Sequence, residues 1–278
     1  MRKKAIVGLL TASFLMASTF PLQKSVVATV SPFSYNVLRF GIASLISFFL
    51  FGAGDYRGGV LLGMVLSGGY IFQLWGLKYT TASKGGFIVS LYVVMVPIFS
   101  YLLERERLRL QHIVGFLMAG LGSYLLFSGD FLMLEMGDFL MLGCAACFAL
   151  HIVLITALSR KIEERSLLFY QFLTVALVNA FMNVSGRWHF STPSVVVAVY
   201  CGIFATVLLI YIQLKYQKVV GSNATALIFV TQPVFSAVLS FLILDERLRF
   251  SQWMGGMLML LASLVSTVRK RVGLFRKR

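Results

Sequence analysis

The sequence predicts an all-α integral membrane protein, with ten transmembrane helices arranged as two inverted repeats of five. Three observations predict it. The chain has 278 residues, 59% hydrophobic and 13% charged, with a mean hydropathy of +0.87, whereas a soluble domain is about a quarter charged. The apolar residues gather into runs close to the ~20 residues that a helix needs to cross a bilayer. Finally, the tetrapeptide Glu-Arg-Leu-Arg stands at 106–109 and again at 246–249.

Taken in order, the runs are 5–23, 33–51, 59–79, 81–103, 110–128, 137–158, 166–185, 194–214, 221–243 and 250–268. The first follows Arg2-Lys3-Lys4 and leads to small residues, which is also the pattern of a secretory leader. The further apolar runs behind it favour a membrane span. The third and fourth are nearly continuous, and the break between them is placed at Lys78 to Lys84. The sixth carries Cys144 and Cys147. This C-x-x-C lies in an apolar run, without the βαβ setting or metal partners that would give it chemistry, so it reads as small packing residues. The links between runs are short and hold most of the charge. The first five runs form one repeat (1–130) and the last five the second (131–278).

The formal net charge of +15 suggests nucleic acid only until its distribution is read. With the N-terminus in the cytoplasm, the inner segments hold Arg2, Lys3, Lys4, Arg57, Arg105, Arg107, Arg109, Arg160, Lys161, Arg165, Lys215 and Lys218. They also hold the tail residues Arg269, Lys270, Arg271, Arg276, Lys277 and Arg278, so 18 of the 25 basic residues are inside. The outer segments hold Lys24, Lys78, Lys84, Arg187, Arg247 and Arg249. This bias places both termini in the cytoplasm of an inner-membrane, multi-pass protein. The basic tail also suits anionic membrane lipid, and no nucleic-acid partner is expected.

Sliding the chain by 140 residues lays 79–109 on 219–249 without a gap. Ile88, Val94, Ser100 and Leu102 then meet identical residues, as do Gly115 with Gly255, Ser123 with Ser263 and Gln73 with Gln213. Earlier in each half a shift of 132 pairs Phe40 with Phe172 and Ala17 with Ala149. Five spans per half put the second copy in the membrane upside down, a construction of secondary transporters.

Leu38-Arg39-Phe40, the SLYVVMVPIF of 90–99 before the first ERLR, and the TQPVFSAVLSFLILDERLR of 231–249 resemble the EamA family of the drug/metabolite transporter superfamily. Met16-Ala17-Ser18-Thr19-Phe20 is similar to that family's Trp-Gly-Ser-Thr-Phe, with Met16 and Ala17 in place of Trp and Gly. The resemblance covers the whole chain. It implies ten helices, cytoplasmic termini, no cofactor, and export or exchange of small metabolites, amino acids among them.

Polar groups within the spans are the candidates for touching a substrate, because hydrocarbon offers them no partner. Tyr70, Ser90, Tyr92, Thr231 and Gln232 lie near mid-membrane. Arg39, Gln73, Trp75, His151 and Tyr211 lie off centre, with Thr19, Asn36, Gln171 and Gln213. Arg39 either forks onto a substrate carboxylate or holds the fold. His151 either relays protons or packs with a hydrogen bond. Pro233 removes an N–H and frees a carbonyl near Phe229, so Gln232-Pro233 marks a broken helix. Pro97 is a second kink. Gly115, Ala119, Gly255 and Gly256 suit close helix contacts, between halves or between protomers of a homodimer; a monomer is equally compatible.

All acidic residues lie in or beside loops. The membrane-embedded Glu on which small multidrug exporters of this superfamily rely is therefore missing, and proton-for-cation antiport by that route is not expected. An enzyme is not expected either. Gly52-x-Gly54-Asp55 matches one motif of intramembrane aspartyl proteases, but Asp55 has no second membrane carboxylate. The Asn-x-Ser/Thr matches at Asn183 and Asn223 lie at span ends and predict nothing. The resulting expectation is a secondary transporter that exports or exchanges small amphipathic metabolites, including aromatic or other apolar amino acids, by alternating access. The alternatives are a non-transporting receptor or scaffold, and an exporter of unrelated drugs or other metabolites.

Overall fold

The computed structural model describes residues 2–27, 30–76, 79–80, 82–106, 108–127, 135–184, 186, 188, 190–244 and 249–267. Glu246-Arg247-Leu248, Lys78 and the basic tail lie outside them. Among the described residues the secondary structure is helical throughout. The helices are α1 (Arg2–Val27), α2 (Pro32–Phe51), α3 (Tyr56–Gly76), α4 (Ala82–Ser90), α5 (Tyr92–Glu104), α6 (Leu110–Phe127) and α7 (Met136–Ser159). A 3-10 turn at Glu164–Leu167 leads into α8 (Leu168–Met182), followed by α9 (Thr192–Gly202), a π-helical turn (Ile203–Leu208) and α10 (Leu209–Val220). The chain continues with α11 (Ser222–Phe229), α12 (Thr231–Leu244) and α13 (Phe250–Thr267).

Six helical stretches are long and apolar enough to cross a membrane: Pro32–Phe51, Gly85–Glu104, Met136–Ser159, Glu164–Met182, Thr192–Val220 and Ser222–Leu239. The shorter Leu110–Leu126 and Phe250–Val265 are also apolar. Among the described residues, eight of the ten hydropathy runs fall on these helices; the runs at 5–23 and 59–79 lie on α1 and α3, which are not among them. What hydropathy alone does not register is that the run at 81–103 breaks at Leu91 and the run at 221–243 breaks at Val230.

The ends of the helices are closed locally. Asp55 Oδ2 accepts the Gly58 N–H at 2.6 Å, capping α3. The glycines before it are conformational: φ is +78° at Gly52 and +69° at Gly54, and a Cβ on Gly54 would lie 2.5 Å from the Ser166 carbonyl oxygen. The Gly-x-Gly-Asp stretch is thus a tight loop and helix cap. Asp138 closes the first turn of α7, accepting from the Glu135 N–H at 2.8 Å and the Thr80 hydroxyl at 2.8 Å.

Helix packing follows the small residues. Helix α6 lies along α13, α2 along α8, α3 against α7 and α8, α1 against α10 and α12, and α5 against α7 and α11. A Cβ on Gly255 would come 2.6 Å from the Gly122 carbonyl oxygen, and one on Gly122 would come 2.8 Å from that of Gly255. Only glycine lets α6 and α13 approach this closely, which is how helices gain contact where lipid removes the hydrophobic drive between them. Gly63 and Gly69 do the same for α3 on Thr174 of α8 and Phe148 of α7. Cys144 is buried and Cys147 lies against Gly68 and Gly69, both as packing residues.

The distribution of polarity is that of a multi-pass membrane protein. Large apolar side chains face outward, Phe49 being 81% exposed. Polar groups inside are bonded to one another: Asn36 Nδ2 donates to Asn179 Oδ1 at 3.2 Å and Asn183 Nδ2 to Ser34 Oγ at 3.0 Å, joining α2 to α8. Such interior pairing is required where no water is available.

Candidate functional site

The site is built around two broken helices. Helix α11 ends at Phe229, Val230 forms a turn, and α12 resumes at Thr231. Pro233, in the first turn of α12, has no N–H to give to Phe229, so that carbonyl loses its helical partner. Thr231 Oγ1 donates to the Ile228 carbonyl at 2.7 Å and lies 2.9 Å from Ser13 Oγ of α1. Gln232 is 8% exposed, and its amide bonds to no described residue. In the first half, α4 ends at Ser90, Leu91 forms the turn and α5 begins at Tyr92. Ser90 Oγ donates to the Phe87 carbonyl at 2.6 Å. Under the shift of 140, Ser90 falls on Val230, Leu91 on Thr231 and Tyr92 on Gln232, so the two breaks sit within one residue of matching places. Pro97 lies inside α5, six residues beyond the break.

A second group lies on α2 and α3. Arg39 is buried; its Nε donates to Thr206 Oγ1 at 2.8 Å and its Nη2 to the Ala205 carbonyl at 3.0 Å. Both acceptors belong to the π-helical turn. A π turn displaces the i to i−4 ladder and frees backbone groups, so the guanidinium stitches α2 to that turn. Its carbon also lies 5.2 Å from the centroid of the Phe40 ring. Tyr70 sits edge-on to Phe40 at 5.4 Å and to Phe148 at 5.8 Å. Gln73, one turn along α3 from Tyr70, is half-buried.

The other sequence candidates are placed elsewhere. Trp75 is 49% exposed on α3 and faces out of the bundle. Tyr211 stacks on Phe51, the last residue of α2, at 5.6 Å, with Lys215 Nζ 5.6 Å from its centroid. That contact is at the end of α2. His151 is buried and its Nε2 lies 3.0 Å from Gln171 Nε2, tying α7 to α8.

Sequence reasoning passed over a polar cluster where α5 ends and α11 begins. Glu104 accepts from the Ser222 hydroxyl and pairs with Arg160 at 3.2 Å. Ser222 Oγ is 2.7 Å from Thr156 Oγ1, to which Gln217 Nε2 donates at 2.7 Å; Gln217 also donates to the Ile152 carbonyl. Gln213 Nε2 in turn donates to Gln217 Oε1 at 2.8 Å. Asn223 Nδ2 donates to Ser100 Oγ at 3.0 Å. Burial pushes the Glu106 carboxyl above its ordinary value, and its contacts with Asn223 and Ser222 offset part of that. The signal available in the sequence was Glu104-x-Glu106 closing an apolar run. Among the described residues no group of His, Cys, Asp and Glu could hold a metal ion.

Comparison with known proteins places this bundle. The profile of the EamA-like transporter family matches residues 3–128 and again 135–268. This chain belongs to the EamA-like transporter family. EamA relatives share its length: an uncharacterized transporter of Archaeoglobus fulgidus is 33% identical over 96% of this chain and 87% of its own. The uncharacterized transporter YetK of Bacillus subtilis is 26% identical over 96% of this chain and 88% of its own. A solved crystal structure shares the fold with a TM-score of 0.81, covering 96% of this chain and 97% of the other at 20% identity. The EamA membership makes this a multi-pass membrane transporter.

Proposed function

We propose that this EamA protein is a secondary transporter that exports or exchanges small amphipathic metabolites, with aromatic and other apolar amino acids the first candidates, by alternating access between two inverted five-helix halves (1–130 and 131–278). The observation that carries this reading is the Gln232 amide: deep in the bundle, beside a helix break, and bonded to no described residue. An amide held at the helix break with its bonds open can take a substrate or water as its partner. Tyr92, Ser90 and Thr231 at the two breaks, with Tyr70 and Gln73 of α3, are assigned to the same site as its aromatic, hydroxyl and amide groups.

Two further features support the exchange of halves. The breaks at Leu91 and Val230 lie within one residue of each other under the internal repeat. The packing also pairs elements with their repeat counterparts, α2 with α8 and α6 with α13, while α3 on α7 answers α10 on α1. Bundles related in this way can rock about a central site. The basic residues at the inner ends support ten crossings with both termini cytoplasmic. Arg39 is already engaged by the π turn, which supports its role in the fold over that of a carboxylate receptor.

The test is counterflow in liposomes containing only this protein. Labelled phenylalanine or leucine outside is expected to accumulate when the unlabelled amino acid is inside. Absence of counterflow with amino acids, from a folded protein, removes them as substrates.

A further inference from the structure

Three buried oxygens at the α5–α11 junction lack donors. Glu104, the last residue of α5, has a side chain 0% exposed. Its Oε2 takes the Ser222 hydroxyl, but Oε1, although 3.2 Å from Arg160, receives no aligned hydrogen bond. Glu106 Oε2 is sealed from solvent and unbonded. Asn223 is 0% exposed, and although its Nδ2 is used by Ser100, its Oδ1 has no partner. Glu106 faces the start of α11: a Cβ on Gly221 would lie 2.9 Å from its Oε1.

The local charge does not close. Among the described residues, two carboxylates face one guanidinium, that of Arg160 at the end of α7. From α11 the pair meets only neutral Ser222 and Asn223. Among the other described charges, Arg105 is exposed, Lys218 of α10 pairs with Glu164 at 2.8 Å, and the charges acting on His112 of α6 are those of Arg109 and Arg2. What the cluster lacks is a hydrogen-bond donor and one positive charge. A proton supplies both at once. A metal ion supplies no hydrogen, needs about six oxygens around it, and would stand beside the Arg160 cation.

We propose that Glu104, Glu106 and Asn223 form a proton-binding site, and that loading or unloading it is coupled to parting of α5 from α11. The step is a proton transfer alone: a carboxylate takes a proton from water and becomes a carboxylic acid, which can donate to Asn223 Oδ1 or to the second carboxylate. Loading removes the charge that holds Arg160, and weakens the attraction of Glu106 for the N-terminal end of α11. This junction joins the first half to the second, so its state bears on which end of the bundle is shut. The coupling rests on the transport reading; the proton site itself does not.

Two measurements separate them. The first is infrared titration of the purified protein in lipid nanodiscs from about pH 8 to about pH 5. It is expected to show the carbonyl stretch of a protonated carboxyl well above the ordinary carboxylate midpoint, diminished in Glu104→Gln and in Glu106→Gln. Should either variant fail to fold, Asn223→Asp, which puts a third carboxyl among the same acceptors, is expected to raise the midpoint. A band unchanged in these variants, or no band, overturns the proton site. The second is a pH-sensitive dye trapped in liposomes during net flux of whichever amino acid shows counterflow. Proton movement with wild-type flux and its loss in Glu106→Gln supports coupling. Counterflow without proton movement, or flux that follows a sodium gradient, overturns the coupling and leaves the transport reading intact. Failure of counterflow itself defeats that reading and leaves the infrared result to judge the site.

Discussion

Arg39 of α2 reaches the π-helical turn of the second half, its Nε 2.8 Å from Thr206 Oγ1 and its Nη2 3.0 Å from the Ala205 carbonyl. A charge here is held by a hydroxyl, a carbonyl and an aromatic face. Removing the side chain leaves a buried carbonyl and hydroxyl without donors, at about 1–3 kcal/mol each. Arg39→Ala is therefore expected to lower the thermal unfolding midpoint in detergent by roughly 5–10 °C. Unaltered melting with a raised KM in counterflow would instead assign Arg39 to the substrate.

Gln232 has the opposite profile. Its amide supports no described residue, so Gln232→Ala is expected to leave melting within a degree or two. One neutral hydrogen bond to a ligand amounts to about 0.5–1.5 kcal/mol, so KM is expected to rise about 2- to 10-fold. Equal kinetics in variant and wild type would remove Gln232 from the site.

Ser13 and Thr231 share a hydroxyl pair at 2.9 Å across α1 and α12. A double-mutant cycle with Ser13→Ala and Thr231→Val, read by thermal unfolding, is expected to give a coupling of about 1 kcal/mol. Additive effects would mean that the pair does not tie α1 to the helix break.

The α6–α13 seam sets a steric prediction. Gly255→Leu drives a side chain into the Gly122 carbonyl, 2.6 Å from the first added carbon, and is expected to cost about 1–3 kcal/mol or more. Gly256→Ala meets nothing closer than Val234 Cγ1 at 3.4 Å and is expected to be neutral. Comparing the two melting curves checks this.

The Glu106 carboxyl sits above its ordinary 4.5, chiefly because it is buried. The folded state then binds this proton more tightly than the unfolded chain does. Stability from this group is full below 4.5 and falls as pH rises through the folded value. Acidifying from pH 7 toward 5 is expected to raise the melting midpoint, and Glu106→Gln to flatten that slope. A wild-type midpoint that drops over the same interval would contradict it.

Helix positions were readable because hydropathy is a local property: most apolar helices could be placed from their own residues and the polar links beside them. The duplication was readable too, since Glu-Arg-Leu-Arg and its flanking matches need only the chain laid on itself. The same sliding set Tyr92 on Gln232 before any geometry was known. Proline chemistry pointed to the α11–α12 joint, because a missing N–H acts within one turn. It did not point to the break at Leu91, which has no proline beside it and comes instead between Ser90 and Tyr92 as α4 and α5 pack on α7.

Trp75, Tyr211 and His151 show where local reading stops. Each is polar or aromatic within an apolar run, and nothing in the run says which neighbour its face will meet. Trp75 faces outward, Tyr211 meets Phe51, and His151 meets Gln171. Asn183 and Asn223 looked uninformative as loop-end sequons, yet each bonds a serine on a distant helix.

By itself, then, the sequence determined that this chain crosses a membrane as helices, that it is built twice over, and that it resembles EamA transporters. All of these are carried by composition, spacing and repetition along the chain. Only the tertiary structure decided that Arg39 is bound to the π turn, that the Gln232 amide bonds to no described residue, and that Glu104 is sealed in. The Glu104–Ser222 bond joins residues 118 positions apart. Whether a carboxylate at a helix end meets water or a buried hydroxyl depends on which helix the bundle lays across it, and that is a property of packing.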